Sequence, residues 1–308
     1  MLNFIEFTFN PSKIQMEPDY VKLKQIKPAL AGYIRESQVL LKKSVFPDEK
    51  AVHDVRVLMK KSRAVLKLVA PQRDNTYSDK DIASLREVGR IMCSWRETSV
   101  QRKTLKELRK KYPEIFSELH ENVILTLLLE KHEPETELTE ELKSVLEQID
   151  TLLNKTGYRI RFESMKMINP QLLLKELEFT YNMVADIYLT CRNNPRPEKL
   201  HEFRKKAKDF LYQLYIFRPL NSPVIKALEK ELDSLTQNLG KFNDISQIIK
   251  DLGYNYKENT SVPAMDELII ILREAQDRYL AKVWPTAYQI FCPGKKLVNI
   301  LGFKLLVI

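Results

Sequence analysis

Two stretches of the chain carry the same basic residues at the same spacing. "VHDVRVLMKKSRAVLKLVAP" covers 52–71 and "LHEFRKKAKDFLYQLYIFRP" covers 200–219. In each stretch a His is followed three residues later by an Arg and seven residues later by a Lys. The first set is His53, Arg56 and Lys60, and the second, 148 residues later, is His201, Arg204 and Lys208. Arg offers a planar fork of donors, Lys a compact charge and His a donor whose protonation an anion favours, so these residues suit phosphate.

The basic residues share one side of each predicted helix. At about 100° per residue, the first set falls within roughly 80° of the helix circumference. We call it the first cationic stripe, and it comprises His53, Arg56, Lys60, Arg63 and Lys67. The second cationic stripe comprises His201, Arg204 and Lys208, with Lys205 beside it. The opposite sides are apolar and suited to packing, with Val55, Leu58, Val65, Leu66 and Val69 in the first helix and Phe203, Phe210, Leu214 and Phe217 in the second.

A solvated helix face is the simpler explanation of a basic stripe, and for one helix it would suffice. Solubility does not require a particular residue at a particular turn, whereas the two stripes repeat His, Arg and Lys in the same order. Like charges three or four residues apart also repel, by roughly 0.2–0.5 kcal/mol per pair. A bound anion would reverse that repulsion, so we interpret the stripes as parts of an anion site.

The repeat extends beyond the stripes. At an offset of 148 residues, the aligned pairs are Lys27 and Lys175, Tyr33 and Tyr181, Leu41 and Leu189, and Pro47 and Pro195. At an offset of 147, they are Leu85 and Leu232, Trp95 and Phe242, and Glu97 and Asp244. Three successive helices are therefore predicted to occur twice, which indicates an ancient duplication into two helical bundles related by a pseudo-two-fold axis.

Composition favours a polyanion as the partner. The chain has 308 residues, enough for one large domain or two smaller ones, and its 50 Lys and Arg exceed its 41 Asp and Glu for a net charge of +9. Its seven glycines form neither of the common nucleotide-binding loops. Cys93, Cys191 and Cys292 lie too far apart in sequence to indicate a zinc cluster or a disulfide framework. No leader or membrane-spanning stretch is recognised, so we expect a cytoplasmic protein without a membrane partner.

Apolar residues recur every three or four positions, which predicts an all-α protein. The helices predicted in the first half are 19–45, 50–69, 79–98, 101–111, 114–131 and 137–155. Those in the second half are 170–193, 197–217, 223–239, with a continuation to 251 left open, and 263–283. The stretch 154–170 is the least helical part of the middle and is predicted to hold the boundary between the halves. Residues 4–9 and 295–308 suit either short strands or edges of the core.

The duplicated H-x-x-R-x-x-x-K helix resembles the CHAD family, the conserved-histidine α-helical domain. "NLGKFNDISQII" at 238–249 is similar to that family's L-G-x-x-R-D segment, with Asn243 where Arg is usual, and "SWRETS" at 94–99 resembles its counterpart in the first half. The resemblance covers residues 15–285. It implies two pseudo-symmetric antiparallel helical bundles around a basic central groove or pore that binds inorganic polyphosphate, and association with polyphosphate granules.

Carried over position by position, the resemblance implies polyphosphate-binding side chains on both helices. They are His53, Arg56, Lys60, Lys61 and Arg63 in the first half and His201, Arg204 and Lys208 in the second. The second copy departs from the pattern at Asp209 and Leu211, where basic residues are expected, so either the second stripe is weaker or Lys205 and Lys206 compensate. Lys27 and Lys175 are additional candidates, one helix earlier in each half. The predicted halves are 15–160 and 161–285, with 286–308 as a C-terminal extension of unassigned role.

We expect a non-catalytic protein with no cofactor, no metal site and no specific nucleic-acid partner, and the sequence predicts no oligomeric state. Three alternatives stay open: an enzyme that hydrolyses polyphosphate or triphosphate, a helical nucleic-acid binder, and a scaffold for an acidic protein. "IEFTFNPSK" at 5–13 lacks the E-x-E-x-K strand of triphosphate-tunnel enzymes, and His120 and His132 lack ligand spacing to a third group. No groove-reading motif or aromatic stacking platform is recognised.

Overall fold

The computed structural model describes residues 23–43, 47–73, 75–92, 97–120, 123–129, 140–162, 168–256 and 263–302. Regular structure in these ranges is entirely helical, which confirms the all-α prediction. The first helices are α1 (Leu23–Lys42), α2 (Glu49–Val69), α3 (Asn75–Ile91), α4 (Glu97–Lys111), α5 (Pro113–Glu118), α6 (Val123–Leu129) and α7 (Glu140–Phe162). The others are α8 (Pro170–Asn193), α9 (Pro197–Phe217), α10 (Ser222–Tyr256), α11 (Pro263–Phe291) and α12 (Leu297–Leu301).

The stripe-bearing helices begin where the sequence predicts. The carboxylate of Asp48 accepts a hydrogen bond from the backbone N–H of Ala51 at 2.6 Å and caps the first turn of α2. Pro197 occupies the first turn of α9, where a missing N–H costs nothing and the fixed φ suits a helix. The apolar sides predicted for both helices are buried. Both stripes therefore lie away from the hydrophobic core.

The structure corrects several details of the predicted helices, including α11, which runs to Phe291 instead of ending at 283, and α3, which spans Asn75–Ile91 instead of 79–98. α7 continues to Phe162, because Thr156 and Ile160 are fully buried and tertiary packing holds the segment helical, so the prediction of weak helicity was wrong for 154–162. The predicted helix at 114–131 is divided into α5 and α6 by a turn at 119–120. α10 runs unbroken past 251 to Tyr256. Of the ends, 297–301 forms α12, whereas 4–9 and 303–308 lie outside the described residues.

The helices fall into two groups with matching neighbours. In the first group, α1 and α3 each pack on both α2 and α7. In the second, α8 and α10 each pack on both α9 and α11. α2 also packs directly on α9, so the two stripe-bearing helices meet at the centre of the molecule. The predicted division into halves stays a prediction, and its boundaries at 160/161 and 285/286 fall inside α7 and α11.

Most of the core is shared by the two groups. A cluster of aromatic rings lies in the part of the core between α8, α9 and α11, formed by Tyr181, Phe203, Phe210 and Phe291. The hydroxyl of Tyr181 donates to the backbone oxygen of Ile290 at 2.9 Å, and burial raises the pKa of this phenol to about 12. A separate smaller core joins α4, α5 and α6 to α10 and α11. Within the described ranges, no helix combines the length and apolar character needed to cross a bilayer.

One buried ionic cluster fixes the first group. The carboxylate of Asp81 on α3 is fully buried. It accepts hydrogen bonds from Nη2 of Arg73 at 2.8 Å and from Nε of Arg159 on α7 at 2.6 Å. Because removing one member of such a cluster leaves buried charge unmatched, Asp81 holds α3 and α7 together.

Candidate anion-binding site

α2 and α9 contact each other along the sides that border their stripes. The side-chain amide of Gln213 donates to the backbone oxygen of Ala64 at 3.2 Å, and Nζ of Lys67 forms an ion pair with Asp209 at 2.6 Å. Nζ of Lys61 lies 5.6 Å from the ring centroid of Tyr215. Along α2 the contacting residues have rising residue numbers, whereas their partners on α9 have falling ones. The two helices therefore run in roughly opposite directions where they meet.

Cations from both stripes act on a single imidazole. The pKa of His201 is lowered, first by burial and then by the positive charges of Lys205, Arg204 and Lys60. Lys205 and Arg204 belong to α9, but Lys60 belongs to α2. His201 still exposes more than a third of its surface, so an anion can reach it. We call the region defined by these four residues the stripe junction.

Arg63 of the first stripe is partly buried among charged side chains. The pKa of Arg63 is lowered, mainly by burial of its guanidinium and further by the charges of Arg86 on α3 and Arg56 on α2. Asp209 acts in the opposite direction and raises it. Nε of Arg63 is buried with no hydrogen-bond partner among the described residues. Positive charge is thus concentrated beside the first stripe without full neutralisation.

The two repeated arginines make equivalent contacts. Nη1 of Arg56 donates to the backbone oxygen of Gly89 on α3 at 2.6 Å, and Nε of Arg204 donates to that of Thr236 on α10 at 3.2 Å. Gly89 and Thr236 are aligned at the 147-residue offset. The guanidinium of Arg204 also lies so close to Gly240 that a Cβ there would stand 3.1 Å from it. Each arginine therefore anchors its stripe helix to the next helix as well as contributing charge.

Carboxylates neutralise one lysine of each stripe. Nζ of Lys208 forms an ion pair with Asp233 at 2.8 Å, and Asp209 holds Lys67 of the first stripe. By the repeat offsets, Asp209 corresponds to Lys61 and Asp233 to Arg86. Net positive charge is therefore biased toward the first half. Sequence reasoning missed Arg86 and Asp233, although extending the 147-residue alignment along the third helix would have exposed this exchange of charge.

Lys61 lies in a separate cleft of about 380 Å³, lined by Ala29, Tyr33, Lys61, Tyr215, Ile216 and Arg218. Its Nζ lies 5.8 Å from the ring centroid of Tyr33, and the guanidinium of Arg218 stacks on Tyr215 at 4.2 Å. Arg218 also forms a bidentate ion pair with Glu229. Lys61 thus belongs to an aromatic environment rather than to the stripe junction.

The remaining candidates are placed around the stripes. His53 is half-buried on α2, one turn from Arg56. Lys27 is half-buried on α1, and Lys175 is exposed on α8, so each lies one helix before a stripe. No described contact joins Lys175 to either stripe. Among the described residues, no group of three or more His, Cys, Asp or Glu side chains is arranged to hold a metal ion.

The sequence was compared with models of known protein families. Residues 28–249 match the family model of the CHAD domain. The chain belongs to the CHAD domain family. The CHAD match begins in α1 and ends in α10, so it includes both stripe helices and the stripe junction. A search of curated proteins found no match to the chain.

Proposed function

We propose that this CHAD protein binds inorganic polyphosphate without hydrolysing it, with the polymer lying between α2 and α9 at the stripe junction. The observation that carries the proposal is the direct packing of α2 on α9, in which Lys67 of one stripe pairs with Asp209 of the other stripe helix and Gln213 bonds to the backbone of Ala64. The lowered pKa of His201, caused first by burial and then by Lys205, Arg204 and Lys60, supports a concentration of positive charge beside this contact. Cations brought together in this way repel one another and gain most from a bound polyanion.

We infer further that the two helix groups are pseudo-symmetric bundles that form a basic groove between them. The matching neighbours of α2 and α9 support this inference, as does the equivalent anchoring of Arg56 and Arg204 to aligned carbonyls. A duplicated helix would then supply cations from both walls of the groove. A flexible polyanion touching both walls binds as a linked ligand, which favours long chains over short ones.

Binding rather than hydrolysis is proposed because of where the nearby carboxylates lie. Asp209 and Asp233 are each paired with a lysine, at 2.6 and 2.8 Å. Electrostatic binding of this kind involves many modest contacts and the release of counterions. Association with polyphosphate granules in the cytoplasm would follow from it. Release of orthophosphate from polyphosphate in the presence of Mg²⁺ would instead support the enzyme alternative.

The test removes charge at the stripe junction while sparing the anchoring arginines. The variant carries Lys60→Gln, His201→Gln and Lys205→Gln, and its matched control carries Lys155→Gln, Lys226→Gln and Lys230→Gln on exposed positions of α7 and α10. Binding to long polyphosphate is titrated at several salt concentrations. The plot of log affinity against log salt at neutral pH should become shallower by about 1.4 for the variant, since the two lysines each neutralise one phosphate and each neutralised phosphate contributes about 0.7 on a single strand.

Two results would count against the proposal. One is a variant that binds polyphosphate as the wild type does, and the other is a control that loses as much affinity as the variant. Competition separates the nucleic-acid alternative: polyphosphate should displace labelled DNA at a far lower phosphate concentration than DNA displaces polyphosphate.

A further inference from the structure

α4 carries a second basic surface outside the two stripes. Its 15 residues include six cations, Arg102, Lys103, Lys106, Arg109, Lys110 and Lys111. At about 100° per residue, the first five lie within roughly 120° of one another, away from the packing residues Leu105 and Leu108. Glu97 and Glu107 are the acidic residues of this helix. A solvated face would normally mix the two signs of charge more evenly.

The surface is concave on both sides of α4. One cleft of about 350 Å³ is lined by Glu49, Arg102, Lys103, Lys106, Glu107 and Lys110. A second, of about 620 Å³, is lined by Arg109, Pro113 and Ser117 among others. Lys106 and Lys110 line both clefts and so stand on the ridge between them. No described ion pair involves either lysine.

The α4 surface adjoins the first stripe. Glu49 lines the smaller cleft and lies in the first turn of α2, four residues before His53. Residues four apart share a helix face, so the start of the stripe lies on the same side of α2 as this cleft. A polyanion that leaves the stripe at His53 therefore reaches α4 without crossing the protein.

α4 is held rigidly in this position. Leu105 is fully buried in the smaller core, and the side-chain amide of Gln101 donates to Asp251 of α10 at 2.7 Å. The cations are thus presented by a fixed helix about 22 Å long. A preorganised row of charges loses less conformational entropy on binding than a flexible basic tail would.

We propose that α4 is a second contact surface for polyphosphate, which a long chain occupies after it leaves the stripe junction. The inference rests on the proposed function and deepens it, because it assigns chain-length preference to Arg102, Lys106 and Lys110. Simple phosphate fits this surface better than nucleic acid does. Of the nearby phenyl and phenol rings, Phe116 is buried and Tyr112 is half-buried with Lys111 5.0 Å from its centroid, so neither offers an open face for base stacking. The exposed imidazole of His120 in the larger cleft is hydrogen-bonded to the backbone oxygen of Ser117 at 2.7 Å and is a single ring rather than a stacking platform.

The experiment compares chain lengths. A variant with Arg102→Gln, Lys106→Gln and Lys110→Gln is measured against wild type and against the Lys155, Lys226 and Lys230 control, each with a short and a long polyphosphate. Circular dichroism checks that helicity is unchanged. Because the second surface acts through effective concentration, affinity for the long chain should fall about 10- to 100-fold. Affinity for the short chain, which the stripe junction can hold alone, should stay within about twofold of wild type.

Each outcome is decisive. Equal binding of the long chain by wild type and variant overturns the α4 surface while leaving the stripe junction intact. Loss of DNA binding with unchanged long-chain polyphosphate binding overturns it in favour of nucleic acid. A charge-preserving variant, Arg102→Lys with Lys106→Arg and Lys110→Arg, should retain long-chain binding, and its failure to do so would also contradict the proposal. Absence of any polyphosphate binding by wild type would instead refute the proposed function.

Discussion

Removing the carboxylates beside the stripes should strengthen polyphosphate binding. Asp209 holds Lys67 at 2.6 Å and Asp233 holds Lys208 at 2.8 Å, so in the unliganded protein two stripe lysines already have partners. A phosphate that contacts either lysine must come within about 5 Å of the neighbouring carboxylate. At that distance two like charges repel by about 1–3 kcal/mol for effective dielectric constants of roughly 80 to 20. The double variant Asp209→Asn with Asp233→Asn removes this repulsion and frees both lysines.

After salt screening, we expect a gain of about 1 kcal/mol per carboxylate, or roughly 30-fold in affinity for the double variant. The change in stability should be below about 1 kcal/mol per site, because partly exposed ion pairs contribute little. Calorimetric titration with long polyphosphate at fixed ionic strength measures the gain, and urea unfolding measures the cost. Glu147→Gln with Asp186→Asn, at exposed positions of α7 and α8, controls for net charge. Unchanged or weaker binding by the Asp double variant would refute placement of the polymer beside Lys67 and Lys208.

Four further predictions follow from described contacts. The pKa of His201 is lowered in the free protein, whereas a bound polyanion favours the imidazolium form. Affinity for long polyphosphate should therefore rise as the pH falls from about 8 to about 6, and H201Q should make this rise smaller. Arg56→Gln and Arg204→Gln should each lower the free energy of unfolding by about 1–2 kcal/mol in urea, whereas exposed Arg35→Gln should not. Asp81→Ala should cost about 3–5 kcal/mol, and exposed Asp79→Ala less than about 0.5. Tyr181→Phe, which removes the hydrogen bond to Ile290, should cost about 0.5–1.5 kcal/mol by the same measurement.

The helices were predictable where local signals and packing agree. α8 and α9 match their predicted spans of 170–193 and 197–217 because Pro and capping residues mark their starts and a regular apolar face follows. The end of α7 was missed because 154–162 has a weak local pattern, and burial of Thr156 and Ile160 outweighs it. The length of α10 was similarly underestimated. A glycine such as Gly240 lowers the local helix propensity. At this position, however, the guanidinium of Arg204 packs so closely that there is little room for a side chain.

The candidate site was predictable in its residue types but not in its pairing. The repeated spacing of His53, Arg56 and Lys60 identified the helices that carry the stripes. It could not reveal the ion pair between Lys67 and Asp209, which are 142 residues apart, because that contact depends on the register between two helices. The spacing also could not show that Arg56 and Arg204 donate hydrogen bonds to backbone oxygens. Every residue has a backbone oxygen, so the residue type of the acceptor gives no signal in the sequence. The sequence shows that Asp209 stands where a basic residue is expected. It does not show that this carboxylate pairs with Lys67 of the opposite helix.

The charge bias between the halves has a functional consequence. The first half carries Arg63 and Arg86 where the second carries Leu211 and Asp233 at the repeat offsets. If both halves contact the polymer, the first should dominate the affinity, and the α4 surface extends the basic region on that same side. In the proposed groove, the two repeated helices would therefore contribute unequal positive charge.

The most direct test of the central claim is a crystal structure of the protein with a short polyphosphate chain bound. We expect electron density for phosphate between α2 and α9, with phosphate oxygen atoms within hydrogen-bonding distance of Lys60 and His201. Density found only at other surfaces, with the stripe junction empty at saturating ligand, would contradict it.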